Sequence, residues 1–354
     1  MATPSMAPYD AVLLLSFGGP EHQDEVVPFL RRVTAGKGIP DERLEEVGAH
    51  YRLFGGRSPI NDQNRALLAA LRVELDARGI TTPLRWGNRH SAPFVADALR
   101  EAKEAGEERV LALRTSAWRS YSSCRQYRED LEGAAVEGVS VDVVRPYGEH
   151  PGFAATNAAL VRDALALARD ANPDLRDLRV LYVTHSIPDA MDLTSGPPDE
   201  ERAYSRGHLA LAAAITDDVQ AELGLEVATE LVYCSRSGPP AMPWLEPDVA
   251  DRIRELPAEG VRRVIVVPIG FVSDHMEVVY DLDVDAAEAA ESAQIEMVRI
   301  PTVGIDQRFV AGLVDLLLEQ AARARGESPD APAWGPLRAT PSPCPAGCCP
   351  NLRR

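Results

Sequence analysis

The chain has 354 residues, 45% of them hydrophobic and 26% charged, an ordinary make-up for a soluble globular protein with room for two lobes or one large α/β unit. Its formal net charge of −17 argues against nucleic acid as a partner, because phosphate backbones need a basic surface. No apolar run approaches the roughly 20 residues of a membrane span. Met1 to Tyr9 lacks the basic and apolar regions of a signal peptide, so a cytoplasmic chain with no transmembrane segment is expected, and separately a monomer. Lysine occurs only at Lys37 and Lys103, leaving arginine to carry almost all positive charge.

Read in chain order, strands and helices alternate. Ala11 to Phe17 reads as a strand, followed by Gly18-Gly19-Pro20 and a helix to about Arg32. Gln63 to Arg78 is amphipathic, with Leu67, Leu68, Leu71 and Leu75 at helical spacing. Strands are expected at Leu84 to Gly87, Val110 to Leu113 and Val141 to Val144, with helices at Phe94 to Ala105 and Arg125 to Ala134. After a crossover at Pro146-Tyr147-Gly148 the pattern restarts. A helix from Gly152 to Ala171 leads to a strand at Arg179 to Thr184 and a long helix at Arg202 to Leu223. Strands at Ala228 to Tyr233 and Val261 to Pro268, a helix after Glu277, a strand at Ile295 to Ile300 and a helix at Gln307 to Arg325 follow. Alternation of this kind implies parallel sheets covered on both faces. Two units of about four strands each imply two similar lobes, 10–149 and 150–325, with a cleft between them. They follow an N-terminal tail, 1–9.

The run Val264 to Phe271 reads as a strand buried on both faces, and the carboxyl edge of such a strand is where open α/β sheets place ligands. Asp274, His275 and Glu277 lie at that edge, and Asp281 and Asp285 repeat the carboxylate at i+4 and i+8 from Glu277. On a helix these three acids share a face and repel one another, which a cation or a path for cations and protons would relieve. The alternative is a solvated acidic helix. His185 follows another apolar strand end, Leu181 to Thr184, where an imidazole can act as base or metal ligand.

From Gly326 the chain is proline-rich, with no helical or strand period, and its 326–354 tail holds Cys344, Cys348 and Cys349. Disulfides are not expected in a cytoplasmic chain. Zinc or an iron–sulfur cluster would tie this extended segment to the body, with a fourth thiolate from Cys124 or Cys234. The spacing matches no standard zinc pattern.

Several of these segments resemble ferrochelatase. They are Leu15-Ser16-Phe17-Gly18-Gly19-Pro20, Phe54-Gly55-Gly56-Arg57-Ser58-Pro59-Ile60-Asn61, Gly87-Asn88-Arg89, Thr184-His185-Ser186-Ile187-Pro188, Ser235-Arg236-Ser237-Gly238-Pro239, and Gly270 to Glu277. The likeness is colinear from about residue 10 to 325. It implies two Rossmann-like lobes of the class II chelatase fold and insertion of Fe(II), a substrate here, into a porphyrin in haem biosynthesis, with release of two protons. His185 and Glu277 would then carry iron and proton chemistry, with Asp274, His275, Asp281 and Asp285 as an outer relay. Phe17, Tyr51, Ser58 and Tyr127 would contact the porphyrin. Some bacterial relatives have a tyrosine where Phe17 stands, so this position offers no oxygen ligand. The tail is similar to that of ferrochelatases carrying a [2Fe–2S] cluster, actinobacterial ones included, which implies Cys124, Cys344, Cys348 and Cys349 as ligands. The adjacency of Cys348 and Cys349 departs from that pattern. The actinobacterial likeness favours coproporphyrin III over protoporphyrin IX, with transient contact to neighbouring haem-pathway enzymes. Competing readings are a cobalt or nickel chelatase of another tetrapyrrole, and a non-catalytic haem carrier or redox sensor.

Overall fold

A computed structural model describes residues 5–36, 38–238 and 241–352. Lys37, Pro239 of the Ser235–Pro239 segment, the first four residues of the N-terminal tail and the last two of the C-terminal one lie outside the described residues. The first half contains β1 (Ala11–Ser16), α1 (Gln23–Val33), α2 (Asp41–Leu53), α3 (Ile60–Ala77), β2 (Leu84–Asn88), α4 (Val95–Glu104), β3 (Arg109–Arg114), α5 (Gln126–Gly133) and β4 (Ser140–Val143). The second contains α6 (Pro151–Ala171), β5 (Leu178–His185), α7 (Asp189–Leu193), α8 (Ala203–Leu223), β6 (Ala228–Cys234), α9 (Val249–Glu255), β7 (Arg263–Val267), α10 (Met276–Tyr280), α11 (Ala286–Ser292), β8 (Glu296–Arg299) and α12 (Gln307–Ala324). Short π-helical turns at Tyr121–Arg125 and Asp281–Asp285 lead into α5 and α11.

Each half forms a parallel four-stranded sheet, in the orders β2-β1-β3-β4 and β6-β5-β7-β8. The expected α/β architecture of two like lobes is therefore the observed one. The order reverses direction on either side of β1 and of β5, and crevices at such reversals, beyond the carboxyl ends of the strands, are where ligands bind. The central strands are closed on both faces: every residue of β1 is buried, as are Val264 to Val267 of β7. Leu67, Leu71 and Leu75 turn one stripe of α3 inward, as their spacing predicts. One large core runs through both halves, from Val12, Leu71 and Leu111 to Val180, Ile265, Phe309 and Leu313, with α12 packed against both α3 and α6. No helix among the described residues is long and apolar enough to cross a membrane.

Three details differ from the sequence reading. β7 stops at Val267 because Pro268 has no N–H to continue the ladder, and Gly270 then turns tightly under β5. A Cβ at Gly270 would lie 2.1 Å from Thr184 Oγ1, so only glycine brings this loop against the end of β5. The helix beyond starts at Met276 rather than after Glu277, and its π turn at Asp281–Asp285 breaks the straight i, i+4, i+8 stripe expected for the three acids. Finally, α2, α7 and α9 were not foreseen; α2 has a weak apolar stripe, and α7 and α9 are only five and seven residues long.

Candidate active site

His185 is the last residue of β5, and Glu277 is in the first turn of α10, just past the Gly270 loop that leaves β7. The sheet thus delivers both from adjacent strands, and His185 Nε2 lies 3.8 Å from Glu277 Oε2. The side chains are 32% and 55% exposed, so both are open to an incoming ion. Behind the imidazole the backbone is held firmly. Tyr204 on α8 donates its hydroxyl to the His185 carbonyl at 2.9 Å and meets Thr184 Oγ1 at 2.8 Å. Thr184 in turn contacts His208 Nε2 at 2.9 Å. Burial holds His208 down at about 3, so it stays uncharged, stacked on Trp118 with ring centroids 3.7 Å apart. Tyr204 and His208 escaped the sequence reading because they lie on a helix with no local signal of their own, and Thr184 entered it only as a strand end and part of a motif.

The acidic residues separate into two groups. Asp281 receives a hydrogen bond from Ser235 Oγ, and burial raises its carboxyl to about 7, with Glu277 pushing the same way and His185 opposing. Ser235 reaches it because its backbone is left-handed, at φ 63°. Asp285, one π turn on, is also raised by burial, with the charge of His50 opposing. His275 lies against Phe271, with ring centroids 5.3 Å apart, and burial lowers its pKa. Asp274 does not join this line. It pairs with Arg299 at 2.6 Å, accepts from Thr302 at 3.0 Å, and its backbone exchanges hydrogen bonds with Gln63 of α3. Its carboxylate is held by partners of its own half, while its backbone ties that half to α3.

The raised pKa of Asp281 has a testable sign. A carboxyl whose folded pKa lies above its ordinary value contributes stability that is full below the unfolded pKa and is lost as pH rises through the folded one. Asp281→Asn should therefore melt like wild type near pH ~4 and higher than wild type above pH ~7. Thermal melts across that range check it; an equal shift at both ends would mean Asp281 titrates normally.

The residues expected against a porphyrin occupy two places. Phe17 and Tyr51 join Phe29, Leu44, Met276 and Tyr280 in an apolar cluster that closes α1 and α2 over α10, where His50 stacks on Tyr280 with ring centroids 3.9 Å apart. This sets Tyr51 near Glu277, whose charge, after burial, helps raise its phenol. Ser58 and Tyr127 are buried, Ser58 behind Gly19 and Tyr127 in the core of the first sheet under Arg89, whose guanidinium lies 4.4 Å from the ring centre. Neither is an open wall in this state. The loop carrying Phe17 is fixed by a polar network: Asn64 to Ser16 at 2.9 Å, Asn61 to the Gly19 carbonyl at 3.0 Å, and the Gly19 amide to Ser91 at 3.0 Å. Two cavities, of about 290 Å³ beside Asp274 and about 320 Å³ beside His150, lie away from His185.

The four cysteines named for the tail meet in space. Cys124 Sγ lies 3.9 Å from Cys349 Sγ, and Cys348 Sγ 3.7 Å from Cys349 Sγ, with Cys344 packed against them. All are free thiols, three of them buried. Adjacent residues normally point apart; a left-handed backbone at Cys349, φ 50°, turns its sulfur to the same side as that of Cys348. Hydrogen bonding among the four sulfurs lowers the thiols of Cys124 and Cys348 from their ordinary value. Among the described residues no group of three or more His, Cys, Asp or Glu side chains is arranged to hold a metal ion. The tail otherwise lacks helix and strand but is not loose: Trp334 donates to the Glu149 carbonyl at 2.8 Å, Thr340 to the Glu149 side chain at 3.1 Å, and Asn351 to Tyr121 at 2.8 Å. Cys349 exchanges hydrogen bonds with Gly196, next to Ser195, whose hydroxyl accepts from the Tyr204 amide at 2.8 Å. Cys234, in contrast, is buried at the end of β6 in the core of the second sheet.

Two parallel sheets of one topology, with an imidazole and a carboxylate delivered to the strand ends of the second, define a two-lobed chelatase fold. The solved sirohydrochlorin chelatase SirB from Bacillus subtilis subspecies spizizenii, in complex with cobalt, shares that fold. The TM-score is 0.51 at 9% identity, covering 89% of this chain and 97% of that one. The family model for ferrochelatase matches residues 9–321. The chain is 51% identical over 355 aligned positions to the coproporphyrin III ferrochelatase of Streptomyces griseus, covering 97% of this chain and 94% of that one. It is 49% identical over 363 positions to that of Leifsonia xyli, covering 98% and 92%. The chain belongs to the ferrochelatase family and is an enzyme.

Proposed function

We propose that this enzyme inserts ferrous iron into coproporphyrin III, giving Fe-coproporphyrin III and two protons, in haem biosynthesis. The observation that carries the chemistry is the 3.8 Å approach of His185 Nε2 to Glu277 Oε2 at facing strand ends. Charge balance requires that the two pyrrole N–H protons leave as Fe(II) enters. An imidazole and a carboxyl group side by side can share the tasks of presenting the cation and accepting those protons. Asp281, poised near neutrality, and Asp285 continue the path outward; His275 lines it. Phe17 and Tyr51 supply an apolar face to the ring, and Ser58 and Tyr127 complete the substrate contacts in this reading. Residues 10–149 and 150–325 act as the two lobes in this reading, with 1–9 and 326–354 as tails.

We further assign a [2Fe–2S] cluster to Cys124, Cys344, Cys348 and Cys349. The donor set suits it, since four thiols, none in a disulfide, gather in one pocket, the number of thiolates such a cluster takes. When bound, thiolate ligation would add folding energy that ties the tail to the body.

One anaerobic assay tests the function: Fe(II) insertion into coproporphyrin III and protoporphyrin IX side by side, repeated with Co(II) and Ni(II). Faster turnover of Fe(II) with coproporphyrin III is expected. Preference for another metal would favour the other chelatase reading, and binding without turnover a haem carrier.

The backing of His185 predicts a second effect. Tyr204→Phe removes the hydroxyl that holds the His185 carbonyl, a bond worth about 1 kcal/mol, so kcat should fall roughly fivefold with the porphyrin KM unchanged. Steady-state kinetics check it, and an unaltered kcat would reduce the network to packing.

A further inference from the structure

β5 carries His185 to the site directly, but Glu277 stands ten residues past the end of β7, on α10, a helix of only five residues. A helix that short has little stability of its own, so neighbours must fix where its carboxylate points. Two side chains of the first half grip it, one on each side of Glu277. Gln63, on α3, donates from Nε2 to the Asp274 carbonyl at 2.9 Å and accepts from the Asp274 amide at 2.8 Å, clasping the backbone three residues before Glu277. His50, on α2, lies on the Tyr280 ring three residues after it, with centroids 3.9 Å apart and planes 3° from parallel. Tyr280 shares a helix face with Glu277 at i+3, so the stack fixes the turn from which the carboxylate projects. Met276 adds an apolar anchor in the same cluster as Phe29, Leu44 and Tyr51.

We propose that Gln63 and His50 are positioning residues for Glu277: the first half of the molecule places a carboxylate that the second half carries. The 3.8 Å approach of His185 Nε2 to Glu277 Oε2 then depends on contact between the two halves, whereas the His185 backbone is held by Tyr204 within its own half. The inference rests on the role proposed above for Glu277. Neither Gln63 nor His50 is assigned contact with iron or porphyrin, and each acts through Glu277, on the chemical step rather than on ring binding.

The test is anaerobic Fe(II) insertion into coproporphyrin III by the full chain, with a thermal melt of each variant. Gln63→Leu deletes both clasping hydrogen bonds at nearly constant size, and kcat should fall about tenfold with the porphyrin KM unchanged. His50→Ala should lower kcat about fivefold, and His50→Phe, which keeps an aromatic face on Tyr280, should regain most of it. In a Glu277→Gln background, read under single turnover with enzyme in excess, Gln63→Leu should add no more than about a twofold further loss, because no charged carboxylate is left to place. An undiminished further loss in that background, or wild-type kcat in both Gln63→Leu and His50→Ala, would overturn the positioning role and leave that of Glu277 standing. If Gln63→Leu does not fold, the His50 variants decide, and equal losses in His50→Ala and His50→Phe would overturn the stack. Wild-type kcat in Glu277→Gln itself would overturn the reading of the site and this inference together.

Discussion

His185→Ala should lower the kcat of iron insertion by on the order of 10³-fold or more while leaving porphyrin affinity nearly intact. The imidazole is about one-third exposed at the end of β5 and lies 3.8 Å from Glu277, so its removal deletes a cation and proton group without opening the buried core. In the proposed site, ring affinity is assigned instead to apolar surface such as Phe17 and Tyr51, which the substitution does not touch. Glu277→Gln should act alike, because it removes charge at nearly constant shape. Turnover assays paired with fluorescence titration of the porphyrin separate the two quantities. Wild-type kcat in either variant would sink the assignment, and loss of binding with kcat preserved would turn the pair into substrate anchors.

Cys124→Ser should bleach the protein and free its tail. Freshly isolated wild type should be brown, with about two irons and two sulfides per chain. Cys124 is the one member of the cysteine group that belongs to the body, on the π turn before α5, and the other three come from the tail. Without it the segment beyond residue 326 keeps the packing of Trp334 and Leu337 against the core and hydrogen bonds such as Trp334 to Glu149, but its last residues lose their anchor. Limited proteolysis should then trim the tail while both sheets stay folded, with a lower melting temperature. Cys234→Ser should keep the colour, since that thiol packs among Val183, Val232 and Val266. Colour that depends on Cys234 rather than Cys124, or a colourless wild type prepared anaerobically with ample iron, would refute the assignment.

Much of this protein was legible in its sequence, for reasons local to the chain. Buried parallel strands must be apolar on both faces, so β1, β3, β5 and β7 announced themselves as continuous hydrophobic runs, and α3 and α12 as stripes of helical period. Alternation of the two set the α/β class, and the strand ends pointed to His185 and Glu277 because parallel sheets expose their functional edge there. The tertiary structure decided what depends on partners distant in the chain. Nothing in the sequence around Asp274 announced its ion pair with Arg299 or the hydrogen bond from Thr302. The π turn at Asp281–Asp285 re-aimed the ladder, and Ser235, 46 residues away, bonds Asp281 there. Arg114 read as the end of an ordinary strand, and only folding revealed a guanidinium buried without an anion. The convergence of Cys124 with a cysteine 225 residues later likewise depends on chain closure, which spacing along a sequence does not encode. Periodicity reports what a residue does to its own helix or strand; burial, ion pairing and pKa belong to neighbours that only the packed molecule supplies.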